Sequence, residues 1–187
     1  KAHALSTKTE VVLQNMVIPI SAVLKDLYNK DLIHGEIWPG NMYSQTGKAT
    51  ERIVLGECLS APSSFLLPTL YHTAERAISD PMGRGIGTRA DDMYAFGVSL
   101  AVALRGSDPL EGATKEQIIE RKLDKGSYAT LIGAERFSGP MLELLRGLLH
   151  DDPDQRWTLD DVEEWIDGRR LSPKQAIKRV KANRPII

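Results

Sequence analysis

His34-Gly35-Glu36-Ile37-Trp38-Pro39-Gly40-Asn41 packs a histidine, a carboxylate, an indole and a carboxamide into eight residues. Two glycines and a proline make it a loop rather than a helix or strand. Upstream, residues 10–29 place Val12, Met16, Ile20, Val23, Leu24 and Leu27 at roughly 3.6-residue spacing, which predicts a helix. Pro19 sits inside that run and predicts a kink or a break. Downstream, Met42-Tyr43-Ser44 and Arg52-Ile53-Val54-Leu55 read as two short strands, joined around Thr46-Gly47 as a hairpin. A loop dense in reactive groups therefore hangs between a long helix and a small hairpin.

The remaining chain is mostly helical. Residues 59–70, with two prolines and three serines, read as an irregular surface segment. Residues 76–89 read as a loop. Residues 90–104 are apolar on nearly all sides, as in a buried central helix, and Gly106 is its stop signal. Residues 114–125 are amphipathic and open with a Thr-x-x-Gln capping pattern. Residues 140–150 form a leucine-rich helix with Pro140 in its first turn. Thr158 caps a last helix over residues 159–167, with Asp161 in its first turn and Gly168 at its end. The fold class is mainly α with a minor antiparallel hairpin. No internal repeat or low-complexity tract interrupts it.

Composition narrows the classes further. The chain has 187 residues, 42% of them hydrophobic and only 6% aromatic, so its core rests on aliphatic side chains. The net charge of -1 predicts no strong overall attraction to nucleic acid. Charge is divided unevenly, however. Arg169, Arg170, Lys174, Lys178, Arg179, Lys181 and Arg184 make residues 169–187 a basic tail or linker, and the body that precedes them is acidic. The single cysteine, Cys58, excludes an internal disulfide and suits a reducing, cytoplasmic setting. It reads as a small buried residue. No apolar run approaches the ~18 residues that span a bilayer. The N-terminus lacks a signal-peptide pattern and an initiator Met, so a piece of a longer protein is expected.

The loop at residues 34–41 resembles the protein-kinase catalytic loop, H-R-D-L-K-P-x-N, with His, Pro and Asn in register. Further resemblances follow in the same order. Residues 52–60, Arg-Ile-Val-Leu-Gly-Glu-Cys-Leu-Ser, are similar to the strand entering the D-F-G segment. Tyr71-His72-Thr73-Ala74-Glu75 is similar to Y-x-A-P-E. Asp92-Met93-Tyr94-Ala95-Phe96-Gly97-Val98 is similar to the buried helix D-V-W-S-F-G-V. Asp152-Pro153-Asp154-Gln155-Arg156-Trp157-Thr158 is similar to D-P-x-x-R-P-T. Together they identify residues 1–168 as the C-terminal helical lobe of a divergent kinase-like domain, of the bacterial-type serine/threonine class. The smaller lobe, with the glycine-rich loop and phosphate-pairing lysine, would precede residue 1.

By that resemblance Glu36 stands at the catalytic aspartate position, one methylene longer, either as an impaired base or as a locally bonded loop residue. His34 takes the position of the loop histidine, where it packs and hydrogen-bonds. Trp38 replaces a lysine and carries no charge toward phosphate, so it reads as a packing residue or a partner anchor. Asn41 matches the ligand of the second metal, or it braces the loop. Gly56 replaces the metal-binding aspartate, although a one-residue shift would give that role to Glu57. Tyr43 falls at the adenine floor and reshapes it. Scaffold positions look intact: Asp92 is expected to accept from the loop backbone, and Glu75 and Arg156 to form a buried pair.

The resemblance thus implies a catalytically impaired domain, a pseudokinase acting through protein contacts, with no cofactor. The alternative is a degenerate active serine/threonine kinase that uses ATP and Mg²⁺ through Glu36, Asn41 and Glu57. The partners implied are an unidentified protein, the upstream lobe of the same protein, and an anionic surface for the basic tail.

Overall fold

The computed structural model describes residues 7–44, 51–58 and 67–169. The predicted turn at Thr46-Gly47, residues 59–66 of the irregular segment and the tail beyond Arg169 lie outside the described residues.

Helix α1 (Thr7–Val12) runs through a wide π-type turn at Leu13–Val17 into α2 (Ile18–Tyr28). The expected disturbance at Pro19 takes this form. Pro19 has no N–H for the carbonyl four residues back, that of Asn15. The Ile53 backbone N–H donates to that carbonyl at 2.7 Å, which fastens the hairpin to the helix. The stretch Thr9–Tyr28 is long and apolar enough to cross a bilayer by length and composition, contrary to the reading from the sequence. Met16, Val17, Ile20 and Leu24 are nevertheless buried inside the protein, so its apolar face is already covered.

The hairpin consists of β1 (Met42–Tyr43) and β2 (Val54–Leu55), antiparallel, with Met42 opposite Leu55 and Tyr43 opposite Val54. A short 3₁₀ turn at Thr69–Tyr71 leads into α3 (Ala74–Ile78), capped by the Thr73 hydroxyl. Sequence reading placed Arg76 in a loop, but it lies inside α3.

The central helix is α4 (Arg89–Arg105), with Thr88 and Asp91 closing a capping box and Gly106 in the left-handed region at φ 80°. Tyr94, Phe96, Val98 and Leu100 are wholly enclosed. Of the helices that follow, α6 (Ser127–Ile132) and α7 (Gly139–Leu148) pack against it, α5 (Lys115–Lys125) packs against α3 and α6, and α8 (Leu159–Ile166) packs against α2. Thr114 with Gln117, and Thr158 with Asp161, form the remaining capping boxes. Helix α6 is unheralded in the sequence. A Cβ at Gly97 would stand 2.7 Å from Leu148 Cβ, so the close approach of α4 and α7 requires glycine there. The result is a helical body carrying a two-stranded hairpin, the architecture of a kinase-like C-terminal lobe.

Candidate functional site

The loop at residues 34–41 is anchored from the N-terminal turn of α4. Asp92 is buried and accepts from the backbone N–H groups of His34 (2.8 Å) and Gly35 (2.7 Å) and from the Tyr28 hydroxyl (3.2 Å). Burial raises its carboxyl to about 6, opposed by those same hydrogen bonds. The contact with Asp92 pushes the Tyr28 hydroxyl up as well, burial being the larger cause. Arg89 closes the mount from outside. Its guanidinium lies 5.0 Å from the Tyr28 ring centre and bonds the Tyr28 carbonyl and Asp31, each at 2.8 Å. Asp31 stands at φ 54°, an uncommon conformation for a residue other than glycine. One helix turn thereby sets the entry to the loop, and the Ser99 hydroxyl, donating to the Ile37 carbonyl at 3.1 Å, sets its middle.

Within the loop, His34 is buried and its Nδ1 accepts from the Glu36 N–H at 3.2 Å. Burial lowers the imidazole to about 4, so it is neutral near pH 7. Glu36 is only 4% exposed. Trp38 is half-buried, with its ring centre 6.2 Å from that of Tyr71 and tilted 55°. It also covers Gly40 so closely that a Cβ there would overlap the indole. Trp38 is a packing residue in this arrangement.

Asn41 occupies the junction between loop and hairpin, and it acts as a brace. Its Nδ2 donates to the carbonyls of Glu36 (3.0 Å) and Glu57 (2.7 Å), and its Oδ1 accepts from the Glu57 N–H (3.0 Å). The Gly56 N–H donates to the Asn41 carbonyl at 2.9 Å. The hairpin thus sets both Gly56 and the Glu57 backbone against the Asn41 carboxamide. A Cβ at position 56 would overlap Asn41 Oδ1 and stand 2.6 Å from Tyr43 Cε2. Tyr43 itself is 58% exposed on the hairpin surface, across from Val54 at 53%. Glu57 meets the site through its backbone, and its side chain is exposed. Cys58, expected to be buried, is exposed.

The predicted tie between Glu75 and Arg156 is replaced by another. Glu75 is exposed on α3, and the two side chains form no ion pair. Arg156 is buried and donates to three carbonyls, those of His150 (2.8 Å), Ala90 (2.9 Å) and Asp151 (2.9 Å). The planar fork of the guanidinium satisfies backbone as readily as carboxylate.

The anchor that does reach the segment before α3 is Lys122 of α5, unmarked in the sequence reading. Its Nζ donates to the carbonyls of Leu70 and His72, both at 2.7 Å. Its signal was its place four residues after Ile118 on the buried face of an amphipathic helix. Lys122 and Arg156 each lie 5.1 Å from the Tyr94 ring centre, and the Tyr94 hydroxyl bonds Ser127 at 2.8 Å. His72, also buried, is lowered to about 4, by burial first and then by Arg84, Arg76 and Lys122.

Comparison with known proteins adds a relationship. No family model matches the chain. It is 27% identical over 173 residues to the serine/threonine-protein kinase GRIK1 of Arabidopsis thaliana, covering 85% of this chain and 40% of that protein. It is 26% identical over 156 residues to the serine/threonine-protein kinase STK11 of Homo sapiens, covering 80% and 35%. It is 25% identical over 185 residues to a probable serine/threonine-protein kinase, pXi, of Dictyostelium discoideum, covering 94% and 25%. The chain therefore spans two-fifths or less of the length of these relatives.

Proposed function

We propose, from the premise that this chain is a protein-kinase-like C-terminal lobe, that it is catalytically impaired and works through protein contacts. The observation that carries the reading is the clasp between Asn41 and the Glu57 backbone, closed over Gly56. Phosphoryl transfer in kinases depends on metal ions held by a carboxylate and an asparagine oxygen beside the phosphates. These residues do not fit Mg²⁺. Glycine at 56 offers no carboxylate, and the Asn41 oxygen already holds an N–H. The buried Glu36 and the indole of Trp38 extend the mismatch to the base and to the phosphate-facing charge. The scaffold around them is meanwhile held by the hydrogen bonds of Asp92 and Arg156. A protein that keeps the frame and alters the reacting groups is suited to holding a shape for a partner.

The test is calorimetric titration of Mg-ATP into a protein that includes the upstream lobe. No heat of binding at millimolar nucleotide supports the reading. Saturable binding that requires Mg²⁺, together with phosphotransfer lost in Glu36→Ala, overturns it in favour of an active kinase using Glu36, Asn41 and Glu57.

A further inference from the structure

We propose that Lys122 is the positioning residue that fastens the segment at residues 67–73, and through it the Trp38 face of the loop, to the helical body. The segment packs against α4 and α5. The pair expected to hold it, Glu75 with Arg156, is not formed. Lys122 instead crosses from α5 to two carbonyls that flank Tyr71, those of Leu70 and His72. Both bonds, at 2.7 Å, are short. Its Nζ has no carboxylate within ion-pair distance among the described residues, and burial lowers it to about 7, opposed by Asp151 and Asp108 from further away. Tyr71, held between the two bonded carbonyls, is buried and meets Trp38. A continuous line of contact therefore runs from α5 through Lys122 and Tyr71 to the loop at residues 34–41.

Two bonds carry the backbone of the segment from outside, while its own turn bonds are few: Tyr71 N–H to Pro68 at 2.9 Å and His72 N–H to Thr69 at 3.2 Å. Loss of the lysine donors leaves two inward carbonyls without their partner, while the burial of Leu70, Tyr71 and His72 and the Arg84 contact with the His72 ring still hold the side chains. Amide hydrogen exchange of the full chain reads this directly. In Lys122→Met, which keeps the stem and removes the donors, the amides of Tyr71 and His72 are expected to exchange roughly ten- to a hundred-fold faster. Amides in α7 should stay within about twofold of the unaltered protein. Lys122→Gln, which keeps two N–H donors on a shorter stem, should fall between the two. Unchanged exchange at residues 67–73 in Lys122→Met overturns the proposal. Equal acceleration of the segment and α7 in both variants overturns it too, since Lys122 would then be holding the whole fold.

Discussion

Adding one methyl group at position 56 should cost the protein more than most core changes of that size. The Cβ of Gly56→Ala overlaps Asn41 Oδ1. The Tyr43 ring, 2.6 Å away, is exposed and can swing aside. Asn41 cannot, because it is 6% exposed and held by three hydrogen bonds. A net worth of ~0.5–1.5 kcal/mol for each bond puts the cost of displacing it at ~2–4 kcal/mol. Asn41→Ala should cost a similar amount by removing the same three bonds. The costs overlap, so Gly56→Ala in an Asn41→Ala background should add less than ~1 kcal/mol, a coupling of at least ~1 kcal/mol. Urea unfolding followed by circular dichroism on the four proteins of this cycle measures it. Additivity within ~0.5 kcal/mol would refute the argument, because the glycine would then have no bearing on the clasp. Gly56→Asp, which returns a carboxylate, should unfold at lower urea and show no heat with Mn²⁺ at millimolar concentration.

Three further outcomes are expected. Asp92→Asn turns an acceptor of three bonds into a group that points N–H at N–H, and thermal unfolding should show a loss of ~2–4 kcal/mol. Glu75→Ala should stay within ~0.5 kcal/mol, whereas Arg156→Met should lose more than ~2 kcal/mol by orphaning carbonyls; equal losses would mean that the two act as a pair. Stability should also fall on acidification. His34 and His72, lowered to about 4 in the fold, bind fewer protons there than in the unfolded chain, so each loses stability as pH drops from about 6.5 to about 4. Asp92, raised to about 6, works the other way and regains part of the loss over the same range. Two histidines against one aspartate leave a net deficit, to which Lys122, lowered to about 7 by burial, adds slightly just below neutral, and His72→Asn should remove most of it in unfolding curves at pH 7 and pH 4.5. A stability that is flat or rises toward pH 4.5 would contradict these assignments.

Some of this was legible in the residues because local chemistry decided it. Thr114 with Gln117 and Thr158 with Asp161 announce helix starts through groups three residues apart, and Gly106 announces a stop through its backbone freedom. The unbroken apolar run around Phe96 can only be satisfied on the inside. What stayed hidden depended on distance in space. Helix α6 is short, begins beside Gly126 and has no side-chain cap, so no periodic pattern could emerge. Lys122 reads as a solvent-facing cation until two carbonyls more than 45 residues earlier are brought to it. Glu75 and Arg156 looked like partners by the kinase resemblance, yet the guanidinium bonds three nearby backbone carbonyls and feels Glu75 only from beyond ion-pair distance. Asn41 carried two readings from sequence alone, and its bracing bonds appear only once the Glu57 backbone is brought to it.

The carbonyl that Pro19 leaves unserved has a consequence for how portable the hairpin is. Ile53 hooks onto that oxygen, so an imino acid in the helix and the seat of the hairpin depend on one carbonyl. An amino acid with a free N–H at 19 would compete for the same lone pair and loosen the arm that carries Gly56 and Glu57. Any graft of this hairpin onto another helical body has to bring the proline with it.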